Sequence, residues 1–411
     1  MIGAPVFRYV LTPGWAGDSL ARAAQAVPSL DLNFAVTKNL GPLVTFTRAS
    51  SATFIDSAGT LQTAAVDVPR FGHNPTTGES LGLLVEEART NLVLRSEEFD
   101  NASWAKAFVT TTPNTTTAPD GTITADSVTP NTATTLFYTL QNVTTTTSTI
   151  YTWSVYVKAN GFSWIFLDAV DGSNHRTWFD IANGTIGTVE AGNTSTIAAV
   201  GNGWYRCTLT RSSAGGSVAY AVAIVSGNNS LNATGNSSNG VFLWGAQLEA
   251  GAFPTSYIPT TTAAVTRSAD VATITSIGSN VRSLFAQFRS PASGTRPVVS
   301  LDDNTANERI EVLTSGADPK LLVTDGGSAV ADLNGGTVTA NVTARAAAAF
   351  DTNNYAFSVD GGASQLDSSG TLPTVNRIRI GSNQAGGYLN GTIARATGWD
   401  VALPNLPPVT Q

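Results

Sequence analysis

The sequence predicts an all-β fold: two tandem jelly-roll or β-sandwich domains preceded by an irregular N-terminal segment. First, only 12% of the 411 residues are charged and 38 are glycine, and threonine-rich, lysine-poor chains favour strands and turns over helices. Second, apolar and polar residues alternate with period two in short runs such as residues 151–158. Third, turn dipeptides such as Asn160-Gly161 separate these runs, a spacing typical of sandwiches.

Residues 1–95 form the irregular part. Their composition predicts a short helix over 18–27, strands over 30–34 and 43–48, and a hairpin over 52–62 that turns at 56–59. A further apolar strand is expected at 82–86. So few apolar positions cannot supply a core of their own. We therefore expect this segment to dock on another domain or subunit, and to serve for anchoring or oligomerisation.

Residues 96–262 are predicted to form the first sandwich. Its last strand, beginning at Gly240, is apolar on both faces, which indicates a position inside a sheet rather than at its edge. Trp153 is assigned to the core by the alternation of its strand. The other expected strands lie at 151–158, 163–170, 176–181, 204–211 and 218–225.

Residues 263–411 predict a second sandwich with different details. The two halves show no internal sequence repeat, so only a shared architecture is inferred. Hairpin turns are expected at 334–335, 360–361 and 390–391. The expected strands lie at 271–274, 283–289, 296–301, 309–313, 320–324, 337–349, 354–359, 377–380 and 391–399.

Charge and apolar content exclude several classes of function. The formal net charge of −7 and the pI near 4.9 argue against a nucleic-acid partner, because phosphate binding needs clustered cations. No apolar segment approaches the ~20 residues of a membrane helix, so no membrane insertion is expected. Cys207 is the single cysteine, which excludes an internal disulfide and predicts a small buried side chain.

Catalytic groups are scattered along the sequence. Glycoside hydrolysis needs a paired acid and base, but the adjacent glutamates at 86–87 and 97–98 would point to opposite faces of a strand. His73 and His175 stand in no catalytic or metal-binding motif. We therefore expect no enzyme, no catalytic residues and no cofactor.

One acidic cluster, Asp302 and Asp303 with Glu308 and Glu311, lies after a predicted strand of the second sandwich. A solvated turn accounts for it, and no metal site is predicted. A Ca²⁺ site is the functional alternative, because oxygen ligands on a loop suit that ion.

Sugar binding is the chemistry that the remaining polar and aromatic residues favour. It requires aromatic faces that stack on sugar rings, beside amide and carboxylate groups that bind hydroxyls. The alternation predicts that the candidates point outward; as an alternative, Trp178 and Trp204 pack against a neighbouring sheet or subunit. The candidate sugar contacts are Tyr156, Asp168, His175, Arg176, Trp178, Trp204 and Arg206.

Four segments occur in an order that resembles bacteriophage and prophage virion fibre proteins, in particular those with a head spike fibre domain. This resemblance covers about residues 31–270. Residues 376–383 (NRIRIGSN) and 388–393 (YLNGTI) resemble a concanavalin A-like jelly roll of the laminin G or lectin type. The four segments are 81–92 (LGLLVEEARTNL), 151–159 (YTWSVYVKA), 201–207 (GNGWYRC) and 243–259 (LWGAQLEAGAFPTSYIP).

The resemblance implies a homo-oligomeric spike or fibre, with a trimer favoured, on the external surface of a phage head or tail. Its N-terminal segment would bind capsid or tail proteins, and its sandwiches would adhere to host surface polysaccharide through many weak sites. The alternative is a tail fibre or tail spike with capsule depolymerase activity, which the missing β-helix repeat and missing carboxylate pair disfavour. A secreted bacterial adhesin is disfavoured because Arg8 and Pro13 interrupt any secretory signal.

Overall fold

A computed structural model describes residues 26–275, 280–291 and 293–411. Strand makes up 52% of the chain and helix only 2%, which confirms the all-β prediction. The expected helix over 18–27 lies outside the described residues except for positions 26 and 27, which are not helical. The described helices are four residues each, and none has the length and apolarity needed to cross a bilayer.

The N-terminal part carries short strands and a single helical turn. Its predicted hairpin is present, with Ala52 paired to Ala64. The first strand ends two residues earlier than expected, because the Asn33 side chain accepts a hydrogen bond from the Val36 backbone and caps a helical turn. The elements are β1 (Leu30–Leu32), α1 (Phe34–Thr37), β2 (Thr45–Thr47), β3 (Ala52–Ile55), β4 (Leu61–Ala64), β5 (Phe71–His73), β6 (Ser80–Val85) and β7 (Arg89–Asn91).

The middle part forms the first sandwich. Its elements are β8 (Ala105–Ala107), β9 (Val109–Thr116), β10 (Ala125–Pro130), β11 (Thr134–Thr135), β12 (Phe137–Thr145), β13 (Ile150–Asn160), β14 (Trp164–Val170), β15 (Arg176–Asp180), β16 (Thr185–Val189), β17 (Thr194–Ala199), β18 (Trp204–Ser212), β19 (Gly216–Val225), β20 (Ala233–Thr234) and β21 (Gly240–Ala250). One sheet has the order β17-β18-β13-β21-β10-β9, and the facing sheet has the order β16-β15-β14-β19-β12-β8. As predicted, β21 lies inside its sheet, and Trp153 and Cys207 are buried between the sheets.

The C-terminal part forms the second sandwich. Its elements are β22 (Val265–Arg267), β23 (Val271–Ile274), β24 (Ser283–Arg289), β25 (Thr295–Asp302), β26 (Arg309–Ser315), β27 (Asp318–Asp325), β28 (Ser328–Asn334), β29 (Ala344–Asp351), β30 (Asn354–Val359), β31 (Gln365–Asp367), β32 (Arg377–Ile380), β33 (Gly391–Trp399) and α2 (Pro407–Thr410). The strand expected over 337–349 begins only at Ala344. Asn341, with a φ of 58°, makes a turn before it.

The N-terminal strands complete the sheets of the second sandwich. One sheet has the order β31-β30-β29-β24-β33-β6-β5, with β1 also beside β33, and the other has the order β2-β23-β32-β25-β26-β27-β28. The expected docking of the N-terminal segment is therefore strand pairing across more than 200 residues of sequence. The chain passes from this body into the first sandwich after β7 and returns from it through β22. These two strands pair with each other.

A buried group of charges joins the two sandwiches; we call it the junction cluster, and it comprises Arg48, Arg70, Glu86, Arg267 and Asp270. Asp270 pairs with Arg70 and, at 3.1 Å, with Arg48. Glu86 pairs with Arg70 at 2.7 Å and with Arg267 at 3.2 Å. Both acids are buried, so each relies on these partners for its charge.

The first sandwich reaches the junction cluster through Ser256, which follows β21. Its backbone N–H and its hydroxyl both donate to the Glu86 carboxylate, at 2.8 and 2.6 Å. Burial raises the pKa of Glu86, but Arg267, Arg70 and the Ser256 hydrogen bonds outweigh it and lower the pKa from 4.5 to about 2. Glu86 is therefore ionised at neutral pH and connects the two sandwiches.

Candidate functional site

The outer face of the sheet that contains β19 carries a row of alanines. Val218, Tyr220 and the other even-numbered residues of β19 face the core. The alternation of a strand therefore turns Ala219, Ala221 and Ala223 outward. Because a methyl group is the shortest side chain after glycine, this row forms a floor between two strands with longer side chains.

The neighbouring strands supply the walls of this depression. Ala223 lies in register between Tyr138 of β12 and Phe166 of β14, and Ala221 lies between Leu140 and Asp168. The cavity has a volume of about 260 Å³, close to the lower end of the ~300–1,000 Å³ typical of small-molecule sites. We call it the alanine groove; it is lined by Leu136, Tyr138, Leu140, Phe166, Asp168, Val170, Asn174, Arg176, Ala219, Ala221 and Ala223.

Polar groups gather at one end of the alanine groove, where β14 pairs with β15. Arg176 donates from Nε to Asp168 Oδ2 at 3.2 Å, and its Nη1 lies 3.8 Å from Glu190 Oε1. Its guanidinium carbon lies 5.5 Å from the centroid of the Phe166 ring, a cation–π contact. The guanidinium is therefore held on three sides by its own chain.

Asp168 is a buried carboxylic acid of the groove lining, and its pKa is raised. Burial raises its pKa, Arg176 opposes the rise and Glu190 adds to it, so that the pKa moves from 3.8 to about 6. One of its oxygens accepts a hydrogen bond from the His175 backbone at 2.7 Å. Its remaining oxygen lone pairs can accept hydrogen bonds from hydroxyls.

His175 was predicted as a sugar contact, but its ring is directed to a different partner. Its Nε2 lies 2.8 Å from Asp171 Oδ1, and Asp171 also accepts a hydrogen bond from the Ala214 backbone at 3.0 Å. His175 therefore stabilises the turn between β14 and β15, which places Arg176 at the groove.

Trp178 was expected to face solvent, and this expectation is wrong. The side chain is only 1% exposed, its ring packs 5.5 Å from that of Phe166, and its Nε1 donates to the Ser230 carbonyl at 2.7 Å. The alternative, packing against neighbouring chain, describes its environment. Trp178 supports the groove wall through Phe166 but offers no face to a ligand.

Tyr156, Trp204 and Arg206 belong to the opposite sheet, and the structure does not bring them near the groove. The hairpin of β3 and β4 covers their face, so that Tyr156 and Trp204 are buried in a cluster with Trp244 and Tyr257. Trp204 donates from Nε1 to a backbone carbonyl at 3.0 Å. Arg206 donates to the Thr255 carbonyl at 2.7 Å. These side chains are used in packing, and the expectation of open aromatic faces is wrong for them.

Tyr138 and the alanine floor were missed by the sequence reasoning. The usable signal was the run of alanines at every second position of residues 219–223, between strands with aromatic side chains on the same face. Strand order was needed to see it, because β12 and β14 lie on either side of β19 only in the folded sheet.

In the Ca²⁺ alternative at residues 302–303, Asp302 would be the main ligand, but arginines already occupy its carboxylate. Asp302 is buried and accepts from Arg379 Nε at 2.7 Å, with Arg377 3.6 Å away. The Asp303 carboxylate caps the following turn by accepting from the Thr305 backbone at 2.8 Å. Across residues 26–275, 280–291 and 293–411, no group of three or more His, Cys, Asp or Glu side chains could hold a metal ion.

No protein-family model matches the sequence, and no curated protein does. Among solved structures, the chain is similar to the carbohydrate-binding module CBM40 of the Ruminococcus gnavus IT-sialidase bound to α2,3-sialyllactose, with a TM-score of 0.29 and 15% identity over 32% of this chain and 82% of that one. It is also similar to the LG1–3 region of the laminin α2 chain (TM-score 0.25, 11% identity, 63% of each chain) and to domains LG4–5 of the mouse laminin α1 chain (TM-score 0.22, 10% identity, 65% of this chain and 91% of that one). Scores this low say nothing about the ligand.

Proposed function

We propose that this chain binds glycans through the alanine groove. The single observation that carries the proposal is that the alanine groove is apolar along its floor and polar at one end. A sugar ring has the same division, because its C–H groups form an apolar face and its hydroxyls lie at its rim. The ring would lie against Ala219 and Ala221, since Ala223 is fully buried, and its hydroxyls would reach Asp168, Asn174 and the Tyr138 hydroxyl.

Tyr138 and Phe166 contribute differently to such a site. Tyr138 is half-buried, so part of its ring can contact a sugar and its hydroxyl can exchange hydrogen bonds with it. Phe166 is 2% exposed, so it shapes the wall and holds Arg176 more than it stacks on a ligand. A single groove of this size supports weak binding, and tight attachment would come from several copies acting together.

We further propose that the chain is a homo-oligomeric component of a phage spike or fibre, on the external surface of a head or tail. Support comes from the four resembling segments, which in this fold form the scaffold and the junction: 81–92 spans β6 and β7, and 151–159, 201–207 and 243–259 form the sheet opposite the groove. In this proposal the scaffold belongs to the fibre, and the groove supplies adhesion. Its N-terminal segment would bind capsid or tail proteins.

The proposed activity is binding without cleavage. The competing function is a tail fibre or tail spike that depolymerises capsule, and it would have to use the two carboxylates at the groove, Asp168 and Glu190. Arg176 lies between them and contacts both, an arrangement that fits a structural ion-pair network better than the separate acid and base of a hydrolase. Release of reducing ends from a bound polysaccharide, abolished in an Asp168→Asn variant, would favour the depolymerase.

Glycan binding is tested by filling the groove. Ala221→Leu places three more carbon atoms on the floor, at the position between Leu140 and Asp168. Ala198→Leu is the matched control, because Ala198 is an exposed residue of β17 in the opposite sheet. Binding on an array of bacterial surface polysaccharides should be lost in the first variant and kept in the second. Equal binding by both variants, or no binding by the wild type, would contradict the proposal.

The virion assignment needs a separate test. Light scattering on the purified chain should give a multiple of 42.5 kDa, and antibody labelling in the electron microscope should decorate phage particles from the producing bacterium. A stable monomer at micromolar concentration, with unlabelled particles, would reject the spike while leaving the groove untouched.

A further inference from the structure

We propose that the alanine groove selects uncharged saccharides and discriminates against sugars that carry a carboxylate or sulfate. This inference rests on the proposed glycan-binding function and adds the class of ligand to it. The deciding observation is the balance of charge at the polar end of the groove. At that end the Arg176 guanidinium has two carboxylates, those of Asp168 and Glu190, within 4 Å.

Arg176 is the only cation among the described residues that line the groove. An acidic sugar would need this guanidinium, because Arg pairs with carboxylates through two parallel N–H donors. Two of its nitrogens already point to Asp168 and Glu190, at 3.2 and 3.8 Å. Its side chain is only 16% exposed. An incoming anion would therefore share this guanidinium with two carboxylates that already balance its charge.

The neighbouring charges do not offset this exclusion of anions. Asp171 and Arg211 lie close together at 3.7 Å, behind the turn that carries His175, so this pair contributes no net positive charge. An anion brought into the groove would meet Asp168 and Glu190 at short range in a partly desolvated site. Like-charge contacts of this kind are unfavourable in interfaces.

The groups that remain available suit hydroxyls. Asn174 is exposed and offers both an amide N–H₂ and a carbonyl oxygen. The Tyr138 hydroxyl can donate or accept, and Asp168 accepts. A neutral sugar can satisfy these groups without a counter-charge, and the alanine floor accepts its apolar face.

The test uses pairs of polysaccharides that differ only in charge. Oligosaccharides of polygalacturonate, alginate and hyaluronan are each compared with the product in which the carboxylates have been reduced to alcohols. Binding is measured by isothermal titration calorimetry. We expect the wild type to bind a reduced product at least about tenfold more tightly than its acidic parent, the change that one lost charge-assisted hydrogen bond produces.

Glu190→Gln tests the physical cause. Glutamine keeps a side-chain oxygen that can accept from the Arg176 backbone, a bond of 2.7 Å in the wild type, but removes one of the two negative charges. The preference for the reduced product should fall by about tenfold if one charged partner of Arg176 is freed for the ligand. Glu79→Gln is the control with the same charge change, because Glu79 is exposed at the turn before β6 and lies on the other sandwich.

Each outcome decides between the two proposals. Tighter binding of an acidic parent than of its reduced product, with sensitivity to Ala221→Leu, would overturn the neutral-sugar inference and leave glycan binding standing. An unchanged preference in Glu190→Gln would also overturn it, because the carboxylate pair would not be the cause. Absence of binding to every acidic and reduced probe, and to the polysaccharide array, would remove both proposals together.

Discussion

Removal of the Asp270 carboxylate should destabilise the second sandwich more than any exposed acid would. Asp270 is fully buried; it pairs with Arg48 at 3.1 Å and with Arg70, and it accepts from the Glu86 backbone at 2.9 Å. Asp270→Ala leaves two buried guanidiniums without that partner. Breaking a buried ion pair from one side costs about 3–5 kcal/mol, which corresponds to a fall in Tm of roughly 6–20 °C for a body of 150–250 residues.

Differential scanning calorimetry gives the measurement, because the two sandwiches can melt in separate transitions. The control is Asp332→Ala, which removes an acid that is 52% exposed and pairs with Lys320 at 3.1 Å. An exposed pair of this kind contributes at most about 1 kcal/mol. If the Tm of the Asp270 variant falls no further than that of the control, the junction cluster does not hold the sandwich together and the reasoning is refuted.

Three further predictions concern the same framework. Glu86 has a pKa of about 2 when folded and 4.5 as its ordinary value, so its contribution to stability is complete above pH ~4.5 and is lost as the pH falls towards 2; urea unfolding at several pH values should show this slope, and Glu86→Gln should flatten it. Gly251→Ala should destabilise by about 1–3 kcal/mol, since a Cβ there would lie 1.5 Å from the Arg89 guanidinium at a φ of +142°, whereas Gly172→Ala meets no atom within 4 Å; chemical denaturation of both variants compares the costs, and equal losses would contradict the clash. Trp178→Phe removes the 2.7 Å hydrogen bond from Nε1 to the Ser230 carbonyl and should cost about 1–3 kcal/mol, measured in the same way; an unchanged stability would contradict this and show that the carbonyl binds water instead.

The sequence by itself determined the fold class and many of the strands. Alternation with period two, as in residues 151–158, is typical of an extended chain whose two faces meet different surroundings, so it can be recognised without tertiary contacts. The double-sided apolar strand from Gly240 likewise indicated a place inside a sheet, which the structure confirms. Asp168 and Arg176 could be named as outward-facing candidates from the alternation alone, and the structure places both at the alanine groove.

Only the tertiary structure decided which faces are open. Tyr156 and Trp204 alternate as outward-facing residues, but the hairpin of β3 and β4, more than 90 residues earlier in the chain, covers them. Strand alternation distinguishes two faces of a sheet and carries no information about what packs on the second one. The alanine groove has the same origin, since its walls come from β12 and β14 and its floor from β19. These three strands are separated in sequence and become neighbours only when the sheet has formed. Hydrogen bonding between strands, and not sequence order, determines which strands are adjacent.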